Sequence, residues 1–187
     1  MSAPPTTIDE LRHLVNTGTR VKYLYFWGNQ PRLDGTLGPS CLSQWWPSPF
    51  DVDGVHFRSA EHYMMWRKAQ LFGDTATAAR IVEVGHPKQA KDLGRRVKGF
   101  DDATWERERF AIVTDVSRAK FASTDALRTY LVGTGTRVLV EASPLDRVWG
   151  IGLAADDEAA ANPLRWRGLN LLGFALMQAR HDLATGA

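Results

Sequence analysis

Residues 59–72, SAEHYMMWRKAQLF, carry both the fold class and the functional question of this chain. Ser59 has the residue type of a helix N-cap, and Phe72-Gly73 that of a helix end, because glycine takes the left-handed conformation beyond a helix C-terminus. The stretch is expected to form a helix of about three and a half turns. Glu61 and Lys68 are then separated by nearly two full turns, so they share a face, about 10 Å apart along the axis, with Met64 and Met65 between them. That separation exceeds the three- or four-residue spacing of an intrahelical ion pair. Two readings follow. Glu61 can serve the positive end of the helix dipole while Lys68 extends to water and the methionines enter the core; or the gap between the two charges holds a ligand.

Composition narrows the ligand. A chain of 187 residues with 44% hydrophobic content can bury the core of one domain, and two domains are not expected. A formal net charge of +2 is too small for a surface that coats nucleic acid, although a local basic patch could receive phosphates. The single cysteine, Cys41, excludes an internal disulfide framework, and His13, His56, His62, His86 and His181 have no metal-ligand spacing. Neither a metal nor a cofactor is expected. The N-terminus, MSAPPTTIDELRHL, lacks an apolar signal core, and no stretch approaches the roughly 20 apolar residues of a membrane span. A cytoplasmic protein with no membrane partner is the expectation.

Outward from the opening helix, the rest reads as mainly helical with short strands. Residues 1–20 form an N-terminal extension in which Thr7 to Glu10 matches a capping box before a short helix with Ile8, Leu11 and Val15 on one face. VKYLYFW is a strand. Gly28 to Pro49 is a long loop carrying Trp45-Trp46, and FDVDGVHF is a hairpin turning at Asp53-Gly54 that delivers the chain to Ser59. TATAARIVEVG reads as a short helix, and Pro87 opens another; both look like scaffold. The longest helix starts at Asp101 or Asp102 and puts Trp105, Arg109, Ile112 and Val116 on one stripe. A helix around Thr124 to Val132 and a strand, TRVLVEA, precede a second irregular stretch holding Asp146 and Trp149. The last run, LNLLGFALMQARHDL, is a largely buried helix in which Gly173 permits close packing.

Seven tryptophans exceed ordinary core needs, and Trp27, Trp45, Trp105 and Trp149 fall at element ends or in loops beside glycine or a carboxylate. Such indoles can stack a heteroaromatic ring, worth about 1–3 kcal/mol per base, or anchor loops through their N–H groups. P-loop, GxGxxG, HExxH and GxSxG motifs are missing, and neither Ser43 nor Cys41 has a partner base at a telling spacing.

Together SAEHYMMWRKA, LSQWWPSPF, the Trp105 helix, LDRVWGIG and RWRGLNLLGFALMQAR resemble the YbiA-like or NADAR family from about Tyr25 to about Leu183. The resemblance implies a mainly α (α+β) fold, one helical YbiA-like domain over 1–187 with a few short β-strands. It further implies hydrolysis of N-glycosidic bonds, either in ribosylamino intermediates of riboflavin biosynthesis or in ADP-ribose attached to guanine bases. Position by position, the family's glutamate in its EHY motif falls on Glu61, its helix lysine on Lys68, its long-helix tryptophan on Trp105, its aspartate before WG on Asp146, and its closing asparagine on Asn170. Gln44 departs from the shorter asparagine common in the family, and the Gly28 to Ser40 loop is longer than in its smallest members.

Breaking a ribose C1–N bond develops oxocarbenium charge at C1 and requires the departing nitrogen to be protonated. Glu61 and Asp146 suit those tasks: one stabilises the cation or activates water, and the other holds a proton, with the order open. Lys68 can bind a phosphate or hydroxyl, or, as an uncharged amine, capture C1 of a ring-opened sugar as a Schiff base. Trp105 and Arg109 would stack the base or sugar and hold phosphate. Phe26, Trp27, Gly28, Ser43, Gln44, Trp45, Trp149 and Asn170 complete the expected substrate-binding set. The expected partner is a small phosphorylated N-riboside or ADP-ribose, including ADP-ribosylated DNA. The competing reading is a nucleotide-binding module without turnover, which would need the aromatic and basic residues but not both carboxylates.

Overall fold

In the computed structural model, which describes residues 3–186, seven α-helices surround two small two-stranded sheets. The chain runs α1 (Ile8–Asn16), β1 (Tyr23–Phe26), a 3-10 turn at Pro39–Leu42, β2 (Phe50–Val52) and β3 (Val55–Phe57), then the helices α2 (Ala60–Leu71), α3 (Thr75–Glu83), α4 (Pro87–Gly94), α5 (Asp102–Ala122) and α6 (Asp125–Gly133). β4 (Val138–Glu141), two 3-10 turns and α7 (Leu171–Thr185) follow. The mainly helical, α+β reading therefore holds, with helix and strand bounds close to those expected.

Local chemistry explains the boundaries. The side chains of Thr7, Asp74, Asp101 and Thr124 accept hydrogen bonds from backbone N–H groups in the first turns of α1, α3, α5 and α6, satisfying donors that a helix start leaves free. Pro87 opens α4, where its missing N–H costs nothing. Asp53 and Gly54 both have positive φ, 50° and 77°, the requirement of a tight two-residue hairpin loop, which pairs Phe50 with Phe57.

β1 and β4 pair in parallel across more than 100 residues of sequence, with Phe26 opposite Glu141. α7 lies against β4 at close range: a Cβ on Gly173 would collide with the Leu139 carbonyl, so only glycine fits there. α2 packs against α3, α4 and α5, and α5 against α7. Leu42, Phe57, Phe121, Leu139, Ile151 and Phe174 are fully buried in the resulting core. Removing their apolar surface from water, at roughly 25 cal/mol per Å², is the main force holding the helices around β4. Among the described residues, no helix is long and apolar enough to cross a membrane.

Candidate active site

One cavity of about 200 Å³ opens between α2, α4, the N-terminal end of α5, the end of β4 and the loops at 43–45 and 146–149. α2 contributes Glu61, Met64, Met65 and Lys68, so the two charges of the opening stretch do face one space with the methionines between them. Trp105 enters from the first turn of α5, Trp45 and Trp149 from the loops, and Leu172 from α7. Ser43 and Gln44 complete the rim beside Trp45.

Glu61 is 3% exposed, and its Oε1 has no hydrogen-bond partner. Burial pushes its pKa up to about 7, against the opposing pull of Lys91, the Trp45 side chain and Arg95. Asp146 stands differently. Its Oδ1 accepts the backbone N–H groups of Val148 and Trp149, each at 2.8 Å, so one oxygen holds its own turn and Oδ2 is the oxygen left for a ligand. Lys68 makes no ion pair among the described residues; its Nζ lies 4.0 Å from the centre of the Phe100 ring and 5.4 Å from that of Trp105. Burial lowers its pKa, with Asp102 opposing.

The cavity also contains residues that sequence reasoning missed. Glu141, the last residue of β4, lines it with a buried, unpartnered Oε2. Burial, then the charges of Asp146 and Glu61, push its pKa up to about 8. α4, expected to be scaffold, supplies Lys91 and Gly94, and Arg95 follows at its C-terminal end. A Cβ on Gly94 would run into the Met65 side chain, so glycine lets α4 approach α2 closely, with Lys91 and Arg95 on the same cavity as the acids. The available signals were weak: a glutamate ending a strand before an irregular loop, and two cations at i, i+4 spacing.

Other expected residues lie elsewhere. Phe26 is buried in the core, Trp27 is 63% exposed, Gly28 follows it with φ 72°, and none of the three lines the cavity. Arg109 lies outside it too, 3.8 Å from Glu106 one turn earlier on α5, so the positive charge at the cavity comes from Lys68, Lys91 and Arg95. Asn170 is fully buried: its Oδ1 accepts the Glu141 N–H at 3.0 Å and its Nδ2 donates to the Leu139 carbonyl at 2.9 Å. It clamps β4 to the start of α7 and does not line the cavity.

The 43–45 loop is anchored from beneath. Lys120 on α5 is 1% exposed and its Nζ donates to the carbonyls of Cys41 and Ser43 at 2.6 and 2.7 Å; burial depresses its pKa to about 7. On the other side the Glu61 N–H donates to the Gln44 carbonyl at 3.0 Å. The loop bearing Trp45 is thus tied directly to the residue that presents Glu61.

Comparison with known proteins identifies the family and the fold. Residues 25–184 match the NADAR domain family. The chain is 40% identical over 166 residues to N-glycosidase R617 of Acanthamoeba polyphaga mimivirus, covering 86% of this chain and 96% of that one. It is 32% identical over 136 residues to N-glycosidase YbiA of Escherichia coli, covering 73% and 76%. The NMR structure of the E. coli protein YbiA superposes with a TM-score of 0.71 at 26% identity, over 89% of this chain and 88% of that one.

Proposed function

The chain belongs to the NADAR domain family and is a hydrolase of N-glycosyl bonds; we propose that it cleaves the ribose C1–N bond of a ribosylamino riboflavin-biosynthesis intermediate or of an ADP-ribosylated guanine base. The observation that carries this reading is the meeting of buried acids, aromatic walls and the cations Lys68, Lys91 and Arg95 in one small cavity. At about 200 Å³ it is smaller than the roughly 300–1,000 Å³ of sites that engulf drug-sized ligands. It suits a single sugar ring, with the base and any phosphate or DNA lying toward the mouth. Both substrate classes share that ring and the bond to its C1.

In this reading the sugar carbon is handled by Asp146 and Glu61. Asp146 is fixed by its two backbone donors and presents Oδ2 to the positive charge that develops at C1. Glu61, with a pKa near 7, is poised to take a proton from the attacking water. Trp105, Trp45 and Trp149 supply flat walls for the ring and base, and Lys91 and Arg95 offer charge to phosphate. Ser43 and Gln44 bring hydrogen-bonding groups to the rim, and the buried Gln44 Oε1 has no partner of its own.

A second route is favoured by one observation: Lys68 is half-buried in the cavity wall, and that burial increases the share of neutral, nucleophilic amine, against the pull of Asp102 and of the Phe100 and Trp105 ring faces toward the ammonium. Its Nζ would then attack C1 of the ring-opened sugar. Borohydride added during turnover would reduce that adduct to a stable mass increase on Lys68, and absence of the increase would remove this route.

The proposed activity is tested by incubating purified protein with a ribosylamino pyrimidine 5-phosphate and, separately, with ADP-ribosylated guanine DNA. Release of ribose 5-phosphate or of ADP-ribose is the expected outcome for one of them. Binding of both with turnover of neither would leave a nucleotide-binding module.

A further inference from the structure

The sugar-side assignment leaves one task without a residue: the departing nitrogen needs a proton, and Asp146 and Glu61 are both occupied with C1. We propose that Glu141 is the proton donor to that nitrogen, a role that rests on the N-glycosidase reading above. The geometry argues for it in three ways. Glu141 ends β4 at the cavity wall, and its Oε2 is buried without any protein partner. Its backbone is held by the Asn170 carboxamide, so the acid enters from a rigid strand rather than a loop. Its surroundings favour the neutral form more than those of the other two acids do.

That third point is comparative. Asp146 receives two N–H donors on Oδ1. Glu61 lies in the first turn of α2, where the helix dipole favours an anion, and near Lys91, Arg95 and the Trp45 side chain. Glu141 faces the Asp146 and Glu61 carboxylates, with Lys91 pulling the other way. Three carboxyl groups around one small cavity do not all ionise together, and Glu141 has the fewest partners for a negative charge. The raised pKa, about 8, agrees with this order.

The step balances. The C1–N bond breaks with its electron pair going to nitrogen, and the Glu141 carboxyl proton follows onto the same nitrogen. Water oxygen bonds to C1, and Glu61 takes the proton that the water gives up. Glu141 ends the cycle one proton short and Glu61 one proton over, and exchange with solvent restores both.

The test compares two substrates that differ in their need for a proton: a ribosylamino pyrimidine 5-phosphate, whose amine must be protonated to leave, and 4-nitrophenyl riboside 5-phosphate, whose phenolate leaves unaided. Glu141→Gln should lower turnover of the first by a hundredfold or more and of the second by only a fewfold. In the unaltered enzyme, kcat/KM for the first should fall as pH rises through about 8, while the second keeps only the limb near pH 7 set by Glu61. The pH profiles need no variant, so they decide the matter even if Glu141→Gln fails to fold. Equal loss of both substrates in the variant, equal retention of both, or the same alkaline limb for both substrates would overturn the assignment while leaving the N-glycosidase reading intact. If the unaltered enzyme spares the ribosylamino pyrimidine but turns over ADP-ribosylated guanine DNA, the same comparison is made with that DNA as the first substrate; an unaltered enzyme that hydrolyses none of the three would overturn both readings.

Discussion

Asn170 binds Glu141 through the backbone: its side-chain oxygen accepts the Glu141 N–H at 3.0 Å, while its own backbone sits in the left-handed region at φ 54°. The residue at the start of α7 thereby sets the height at which an acid leaves β4 for the cavity. Asn170→Ala deletes both side-chain hydrogen bonds, leaves buried groups unpaired and puts a non-permissive residue at positive φ. A loss of about 2–4 kcal/mol in unfolding free energy is expected from urea titration. A loss within 0.5 kcal/mol would mean that the clamp does not hold β4 to α7.

The buried acids make stability depend on pH in a stated direction. Glu61 and Glu141 have folded-state pKa values near 7 and 8, above the 4.5 of an unperturbed glutamate. The folded protein therefore holds more protons than the unfolded chain between these values. Their contribution is fully present below about pH 4.5 and is lost as pH rises to about 8. Lys120, whose pKa is depressed, acts oppositely, adding stability as pH rises above about 7. Comparing melting temperatures at pH 5 and pH 9 with those of the Glu61→Gln/Glu141→Gln variant cancels the Lys120 part. The variant should lose less stability over that interval; an equal loss would contradict the burial of these acids.

Trp105 serves packing and ligand contact at once, being half-buried and on the cavity wall. Trp105→Ala should reduce both melting temperature and substrate affinity, whereas Trp105→Phe, which retains a flat ring, should restore most of the stability. If the Phe variant is stable and KM is unchanged in it, indole stacking is not a source of affinity.

Asp146 and Glu61 are assigned to the same carbon, so their losses should not add. Asp146→Asn keeps an oxygen for the N–H groups of Val148 and Trp149, and the melting temperature should hold while turnover falls steeply. The double variant with Glu61→Gln should lose little more than the worse single variant. Fully additive losses would place Asp146 in work separate from Glu61.

What could be read from the sequence was local. The spacing of Glu61 and Lys68 on one helical face, the Asp53-Gly54 turn and the Pro87 start all depend on neighbours within a few residues, where backbone geometry is decisive. Glu141 was not legible because its position depends on β1, more than 100 residues earlier, and on Asn170 in α7. Lys91 and Arg95 read as the solvated face of a small helix until the Gly94–Met65 contact draws α4 onto α2. Arg109 and Asn170 mislead for the opposite reason. A stripe position or a shared motif marks a polar residue as special, but Arg109 lies beside Glu106 on its own helix and Asn170 satisfies strand backbone.

The central claim is that acids in this cavity hydrolyse an N-ribosyl bond, and Glu61 is the acid most fully enclosed. Gln at position 61 keeps the size and hydrogen-bonding capacity of the side chain but cannot take up a proton from water. The most direct measurement is kcat for release of ribose 5-phosphate or ADP-ribose from whichever N-riboside the unaltered protein turns over, taken beside Glu61→Gln at matched folding. The account predicts a loss on the order of a hundredfold or more with the fold intact. Near-normal kcat in a folded Glu61→Gln protein would contradict it.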